Sequence, residues 1–379
     1  MKKTFFNLSA LAGLALLLTG CPPKEVVIVP TPVPEKQYVV YSPGENLTSL
    51  TEVTKSDETC YTPFGGDKGR NLFFVVQDKS GTYSNIFHRK DNPISAAMSQ
   101  LTGGKNANMS PTFCAATNQV AFAGRQSGAT MRDIYLMNLS QGSALTQLTN
   151  TPDAEESYPC LSRDGSTLVY QKRGRGRAEY ETEIWMKKLR TGEDIMLTTG
   201  CMPSFSPDGR TIVFVRHTSD AKNTCLWTMT TDGGNQAQLT NSTLGTVWHP
   251  RYSPSGTQIV FDCYKSEANN VDLYVIDSSG SAPTQLTINE SYDGQPYWAD
   301  DGNIYFTSDR GGRDKHYQIW RFQYSKGPVP PLVDYHTVLP GEKISQIASR
   351  YGVTVNNLVK WNNLQTMTLT PGMKLKIRE

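Results

Sequence analysis

The chain has 379 residues, 37% hydrophobic and 19% charged, with a formal net charge of +2. That near-neutral balance lacks the basic footprint of a nucleic-acid binder, and the length allows more than one buried core. The 31 glycines and 22 prolines favour many turns between short strands.

Residues 1–20 read as an export signal. Lys2 and Lys3 give a positive start, and Phe5 to Leu18 form an apolar run shorter than a membrane span. The run ends in Leu18-Thr19-Gly20-Cys21, which resembles a bacterial lipobox. The resemblance implies cleavage before Cys21 and lipidation of its thiol, with several acyl chains giving a firm anchor. Residues 21–37 form a proline-rich tether. Pro22, Pro23, Pro30, Pro32 and Pro34 favour an extended polyproline II spacer. No aspartate or acidic run follows Cys21, so the expected location is the outer membrane, lipid-anchored and facing the periplasm. Six further cysteines remain: Cys60, Cys114, Cys160, Cys201, Cys225 and Cys263. Their even number in an exported chain permits disulfides but leaves the pairing open. No Cys-x-x-Cys or Cys/His spacing points to a metal, and no cofactor is expected.

A repeated unit fills residues 38–324. In its clearest copy, Pro203-Ser204-Phe205-Ser206-Pro207-Asp208-Gly209 leads into Ile212-Val213-Phe214-Val215, a strand, a tight turn and a second strand. Equivalent prolines stand at 63, 111, 159, 203, 250 and 296, so the steps are 48, 48, 44, 47 and 46. A third strand recurs as Asn85-Ile86-Phe87, Asp133-Ile134-Tyr135, Glu183-Ile184-Trp185, Cys225-Leu226-Trp227, Asp272-Leu273-Tyr274 and Gln318-Ile319-Trp320. A fourth recurs as Gln100-Leu101-Thr102, Gln147-Leu148-Thr149, Met196-Leu197-Thr198, Gln238-Leu239-Thr240 and Gln285-Leu286-Thr287. Four strands at a period in the forties predict a mainly β fold, a six-bladed β-propeller. The sixth copy lacks its fourth strand, and Leu47-Thr48-Ser49-Leu50-Thr51 stands unclaimed at the other end. The expectation is that this N-terminal strand completes the last blade and closes the ring, which removes a sheet edge.

The turns between first and second strands are short and belong to the scaffold. The longer, charged loops (151–157, 172–180, 216–223, 264–271 and 309–317) lie on the opposite face, where partner binding is expected. Cys60, Cys201, Cys225 and Cys263 fall near that face, and a Cys225–Cys263 disulfide is one way of tying it together. Asp293 near the channel mouth allows a small-ligand or ion site. The repeat pattern over roughly 46–324 resembles the TolB-type propeller repeats of bacterial periplasmic proteins. That resemblance implies the propeller fold and a docking role at one mouth, but the separate N-terminal domain of TolB has no counterpart here.

Residues 325–334 read as a second proline-rich linker. In 335–379 the texture changes to a short strand, two helices and a closing strand. Ile344, Ile347, Ala348 and Tyr351 fall at helical spacing, with Gly352 as a C-cap. Thr354 suits the N-cap of a second helix carrying Leu358, Val359 and Trp361. Tyr335-His336-Thr337-Val338, Pro340-Gly341-Glu342, Tyr351-Gly352-Val353, Trp361-Asn362 and Pro371-Gly372-Met373-Lys374-Leu375-Lys376-Ile377 resemble a LysM domain. The resemblance implies a small βααβ fold that binds the N-acetylglucosamine units of peptidoglycan or chitin. Its sugar groove corresponds to Gly341, Glu342, Lys343 and Ile344 in the first loop and Leu364, Leu369 and Thr370 in the second. The family's Asp-Thr after the turn glycine is replaced by Glu342-Lys343. Asn362 is expected to cap the second helix, and Trp361 to be core.

The leading expectation is a non-enzymatic tether: an outer-membrane lipoprotein that grips peptidoglycan through LysM and docks an unknown envelope protein on its propeller. The alternative is a propeller subunit or sensor of an envelope enzyme or secretion complex. Propellers of this type also cap serine peptidases, but no G-x-S-x-G elbow occurs in the sequence and histidines number only 5.

Overall fold

The computed structural model describes residues 45, 47–66, 71–90, 98–126, 129–141, 144–266, 268–311, 316–324, 335–338, 340–350, 355–364 and 366–376. The export signal, Cys21, the tether and the linker 325–334 lie outside the described residues, as do the caps Gly352 and Thr354.

The strands follow one another in four-stranded antiparallel groups. A lone strand β1 (Thr48–Glu52) comes first. The first group is β2 (Thr59–Gly66), β3 (Asn71–Gln77), β4 (Ser84–Lys90) and β5 (Ser99–Gln100). The second is β6 (Ala107–Cys114), β7 (Gln119–Arg125), β8 (Asp133–Asn138) and β9 (Leu145–Gln147). The third is β10 (Ala154–Leu161), β11 (Thr167–Gly174), β12 (Glu183–Lys188) and β13 (Asp194–Thr199). The fourth is β14 (Cys201–Phe205), β15 (Thr211–His217), β16 (Thr224–Thr230) and β17 (Ala237–Gln238). The fifth is β18 (Thr246–Tyr252), β19 (Gln258–Lys265), β20 (Asn270–Asp277) and β21 (Thr284–Gln285). The last has β22 (Asp293–Trp298), β23 (Asn303–Ser308) and β24 (Gln318–Gln323), and its fourth strand is β1, antiparallel to β24. The first two groups are further joined by the single parallel pair Ser84–Ala107.

The predicted turns form as their chemistry requires. Gly165 and Gly209 take φ +71° and +69°, a region open to glycine. Ser162 and Ser206 donate to Asp164 and Asp208 and accept the amides of Thr167 and Thr211. Those serine and amide donors hold the Asp164 and Asp208 carboxyls below the usual range.

The Leu-Thr strand has a fixed job. The amides of Leu101, Leu148, Leu239 and Leu286 each bond a third-strand carbonyl, at Ile86, Ile134, Leu226 and Leu273. The next threonine then accepts the amide of that same third-strand residue at 2.8–2.9 Å. In the last group Val53 bonds the Ile319 carbonyl and Thr54 accepts the Ile319 amide at 2.8 Å. The equivalent of Leu-Thr is therefore Val53-Thr54. The expected segment 47–51 overlaps β1 but sits three residues early, because its Leu-Thr pairs imitate a motif that the chain spells with valine.

Apolar side chains fill the spaces between neighbouring groups. Tyr61, Phe73 and Ile86 meet Val120, Phe122 and Tyr135, and four similar clusters follow along the chain. A sixth cluster joins Ala299, Tyr305 and Ile319 of the last group to Cys60, Leu72, Phe74 and Val76 of the first. The first strands touch in chain order, and β2 also touches β22.

The expected Cys225–Cys263 disulfide does not form. Both are free and buried. Cys225 sits on β16 near Gln238 and Thr240, whereas the Cys263 thiol faces the Leu244 carbonyl at 3.5 Å. Burial pushes the Cys263 thiol up to about 12. These cysteines serve as small apolar packing groups.

At the C-terminus, β25 (Tyr335–Thr337) pairs with β26 (Lys374–Lys376), with α1 (Ile344–Arg350) and α2 (Val355–Trp361) between them. Val338, Ile344, Ile347, Ala348, Leu358 and Leu375 form their core.

Candidate functional site

Two regions of the described chain have the form of a site. The first is the pair of loops flanking the C-terminal core. Gly341 is exposed at φ +80°, and a Cβ there would meet nothing within 4 Å, so the turn selects glycine for its backbone. Glu342 is held by His336 Nε2 at 2.7 Å, with both side chains over nine-tenths buried. Lys343 is exposed, and its amide donates to Gln346 Oε1 at 2.9 Å, which caps α1. Ile344 is core, and Leu364 and Leu369 pack on the same core, while Thr370 is exposed. Val338 and Met373 bond each other's neighbourhood through Val338 N to Met373 O and Gly372 N to Val338 O, both 2.8 Å, so the two loops leave a common base. The seven expected residues thus divide into exposed polar positions (Gly341, Lys343, Thr370), a buried carboxylate held by His336 (Glu342) and an apolar floor (Ile344, Leu364, Leu369). Asn362 is structural: it bonds the Leu358 and Lys376 carbonyls and accepts the Lys376 amide, tying α2 to β26. Trp361 packs on the core. His336 was missed, because its partner six residues on gives no periodic cue.

The second region lies among the first strands of the six groups. Each carries a bulge at the same place, between Tyr61 and Phe64, Met109 and Thr112, Ser157 and Cys160, Cys201 and Ser204, Trp248 and Arg251, and Gly294 and Tyr297. The residue before each repeat proline is left-handed: Thr62 (φ 49°), Ser110 (51°), Tyr158 (50°), Met202 (52°), His249 (49°) and Gln295 (54°). A residue before proline is expected to be extended, and a left-handed non-glycine residue costs about 1–2 kcal/mol. Turned amides recover part of this. Gln295 N donates to Asp262 Oδ2 at 2.6 Å, Met202 N to Gln171 Oε1 at 3.0 Å, and Thr62 N to Gln295 Oε1 at 3.1 Å. The bulge also re-aims side chains. Tyr158 and His249 belong to strands separated by β14, yet their rings lie 5.7 Å apart and Tyr158 Oη is 3.5 Å from His249 Nε2. They therefore meet past the intervening first strand β14. His249 Nδ1 is 2.8 Å from Asp262 Oδ2, both buried, and among the described residues Asp262 Oδ1 has no hydrogen-bond partner.

Asp293 does not offer an open acidic site. Its side chain is fully buried, with Oδ1 accepting Ser308 Oγ at 2.6 Å and Arg310 Nε at 3.0 Å. Arg310 also holds Glu45 ahead of β1, with Nη1 2.9 Å from Oε2. Burial pushes the Asp293 carboxyl up, opposed by Arg310, and Asp272 beside this cluster is pushed up to about 8 by burial and by Asp293. Among the described residues no group of three or more His, Cys, Asp or Glu is placed to hold a metal. In the loops of the third group Arg175 pairs with Asp153, Arg177 with Glu181 and Arg173 with Glu179, in pairs that are mostly exposed.

The TolB beta propeller domain family matches residues 44–248 and 241–336, and the LysM domain family matches 336–378. The N-acetylmuramoyl-L-alanine amidase sle1 of Staphylococcus aureus is 44% identical over 43 residues, 11% of this chain and 13% of that protein. The chain thus spans about an eighth of that relative's length. A putative TolB from Agrobacterium tumefaciens superposes with a TM-score of 0.53 at 18% identity, over 73% of this chain and 97% of that one. TolB from Acinetobacter baumannii gives 0.51 at 16%, over 69% and 65%. An oligogalacturonate lyase in complex with manganese gives 0.52 at 16%, over 76% and 96%. At such identities the likeness is one of fold.

Proposed function

The chain belongs to the TolB β-propeller domain family and carries a C-terminal LysM domain, and from that premise we propose that it is a lipid-anchored scaffold of the outer membrane, facing the periplasm, which binds peptidoglycan through LysM and docks an envelope protein on its propeller. The observation that carries the reading is the LysM match over 336–378, whose relative is named for action on N-acetylmuramoyl-L-alanine. The polar rim of Gly341, Lys343 and Thr370 over the Ile344, Leu364 and Leu369 floor suits an acetamido sugar, with donors and acceptors at the rim and a methyl on the floor, while the His336–Glu342 pair fixes the first loop. Cys21 supplies the anchor, and 21–37 the reach from the membrane.

We read the six groups as the blades of one ring closed by β1. The β1–β24 pairing, the core shared by the last and first groups, and the Glu45–Arg310–Asp293 lock support this. We also read the chain as non-catalytic, with its chemistry confined to binding.

Co-sedimentation with purified peptidoglycan tests the glycan claim. The full chain should pellet, and a chain lacking 335–379 should stay in solution. Equal pelleting of the two overturns the assignment.

A further inference from the structure

Arg251 stands one residue beyond the β18 bulge proline and is half-buried. Its guanidinium carbon lies 6.0 Å from the centre of the Phe64 ring, on β2. Strand β18 touches β22, and β22 touches β2, so Arg251 reaches past β22 to the ring of Phe64. Phe64 and Tyr297 pack together there at 4.4 Å between ring centres, and both retain access to solvent. The other residues at this level, Thr112, Cys160 and Ser204, are small and buried.

Among the described residues Arg251 makes no ion pair. Its one hydrogen bond runs from Nη1 to the carbonyl of Pro250 at 3.2 Å. Asp262 acts on it from a distance, but Asp262 Oδ2 is occupied by His249 and the Gln295 amide. Burial draws the Arg251 guanidinium below its usual range, as expected where a cation lacks a close counter-ion. A guanidinium has five N–H donors in a planar fork matched to a carboxylate, and here most of them are unspent. The Tyr158–His249 contact bridges the channel two residues back along the strand, which limits the depth of the space.

We propose that the propeller channel holds an anion site in which Arg251 pairs with the carboxylate of a small organic acid whose apolar body lies against Phe64 and Tyr297. The site draws on β18, β2 and β22, so it exists only when the groups are assembled. It sits toward the short-turn end of the first strands, away from the long loops where binding was expected.

Titration calorimetry of the full chain with N-acetylphenylalanine, N-acetylphenylalaninamide and inorganic phosphate tests this. The acid should bind, and the amide should bind at least about tenfold more weakly, the effect of losing one charged pair. Arg251→Met should weaken the acid by a similar factor and leave the amide unchanged. Equal binding of acid and amide, no acid binding up to about 10 mM, or phosphate binding tighter than the acid overturns the proposal. Should Arg251→Met fail to fold, the acid–amide comparison on the unaltered chain decides. The result is independent of peptidoglycan binding, which sits in residues 335–379.

Discussion

Asp272 occupies a position that each group fills in its own way. Asn85 and Gln318 stand at the same place and accept the bond of the following threonine, as Asp272 does from Thr287 at 3.1 Å. Only a carboxylate there is costly to ionise. Burial raises Asp272 to about 8 and Glu156 to about 7. A carboxyl with a raised folded-state pKa favours the fold below its unfolded pKa and loses that contribution as pH climbs through the folded value. Stability should therefore fall between about pH 4 and pH 8. Asp272→Asn should flatten that slope by about 1 kcal/mol or more, read from urea midpoints at the two pH values. An unchanged slope would mean that Asp272 is ionised at little cost. At the same scale, His336→Ala leaves buried Glu342 without that ring nitrogen. The C-terminal unit should lose about 1–3 kcal/mol, and the Gly341–Ile344 loop its fixed position. Full stability in that variant would show the pair to be incidental. Residue scale is also where the sequence was least legible. Six residues before proline are left-handed against a sound local rule, and for Thr62, Met202 and Gln295 a neighbouring strand supplies the acceptor for the turned amide. Arg251 was passed over because no spacing marks a side chain on β18 that meets Phe64 on β2.

Among the elements, β1 shows both the reach and the limit of pattern reading. A missing fourth strand at one end and a spare one at the other were enough to join β1 with β24. The register was three residues off, because the hydrogen-bond role passes to Val53 and Thr54, whose letters depart from Leu-Thr in one position. The turns were legible because proline, aspartate and glycine act through local backbone geometry alone. The disulfide was not, since pairing depends on where two side chains point. Glu45 adds a lock that no repeat could reveal, lying ahead of the first copy. Glu45→Ala removes one of the two carboxylates on Arg310, leaving Asp293 in place, and should cost about 1–3 kcal/mol in one cooperative transition. Thr54→Val removes the acceptor for the Ile319 amide and should cost about 1–3 kcal/mol. Wild-type melting in either variant would contradict the role assigned to the closing strand.

For the whole molecule, the central claim is that one chain joins two surfaces. The repeat and the C-terminal unit were legible because each writes a distinct texture. The docking face was not, since loop charge in a sequence does not say which groups pair locally, as Arg173, Arg175 and Arg177 do. On the proposed reading, a membrane anchor at Cys21 would confine LysM near the glycan and raise its effective concentration. Neither end alone should bridge membrane to wall. The direct measurement is capture of lipid vesicles carrying the lipidated chain by purified peptidoglycan sacculi. Vesicles should pellet with the sacculi only when both Cys21 and residues 335–379 are present. Vesicles that pellet equally without 335–379, or protein that stays on vesicles after Cys21→Ala, would contradict the account.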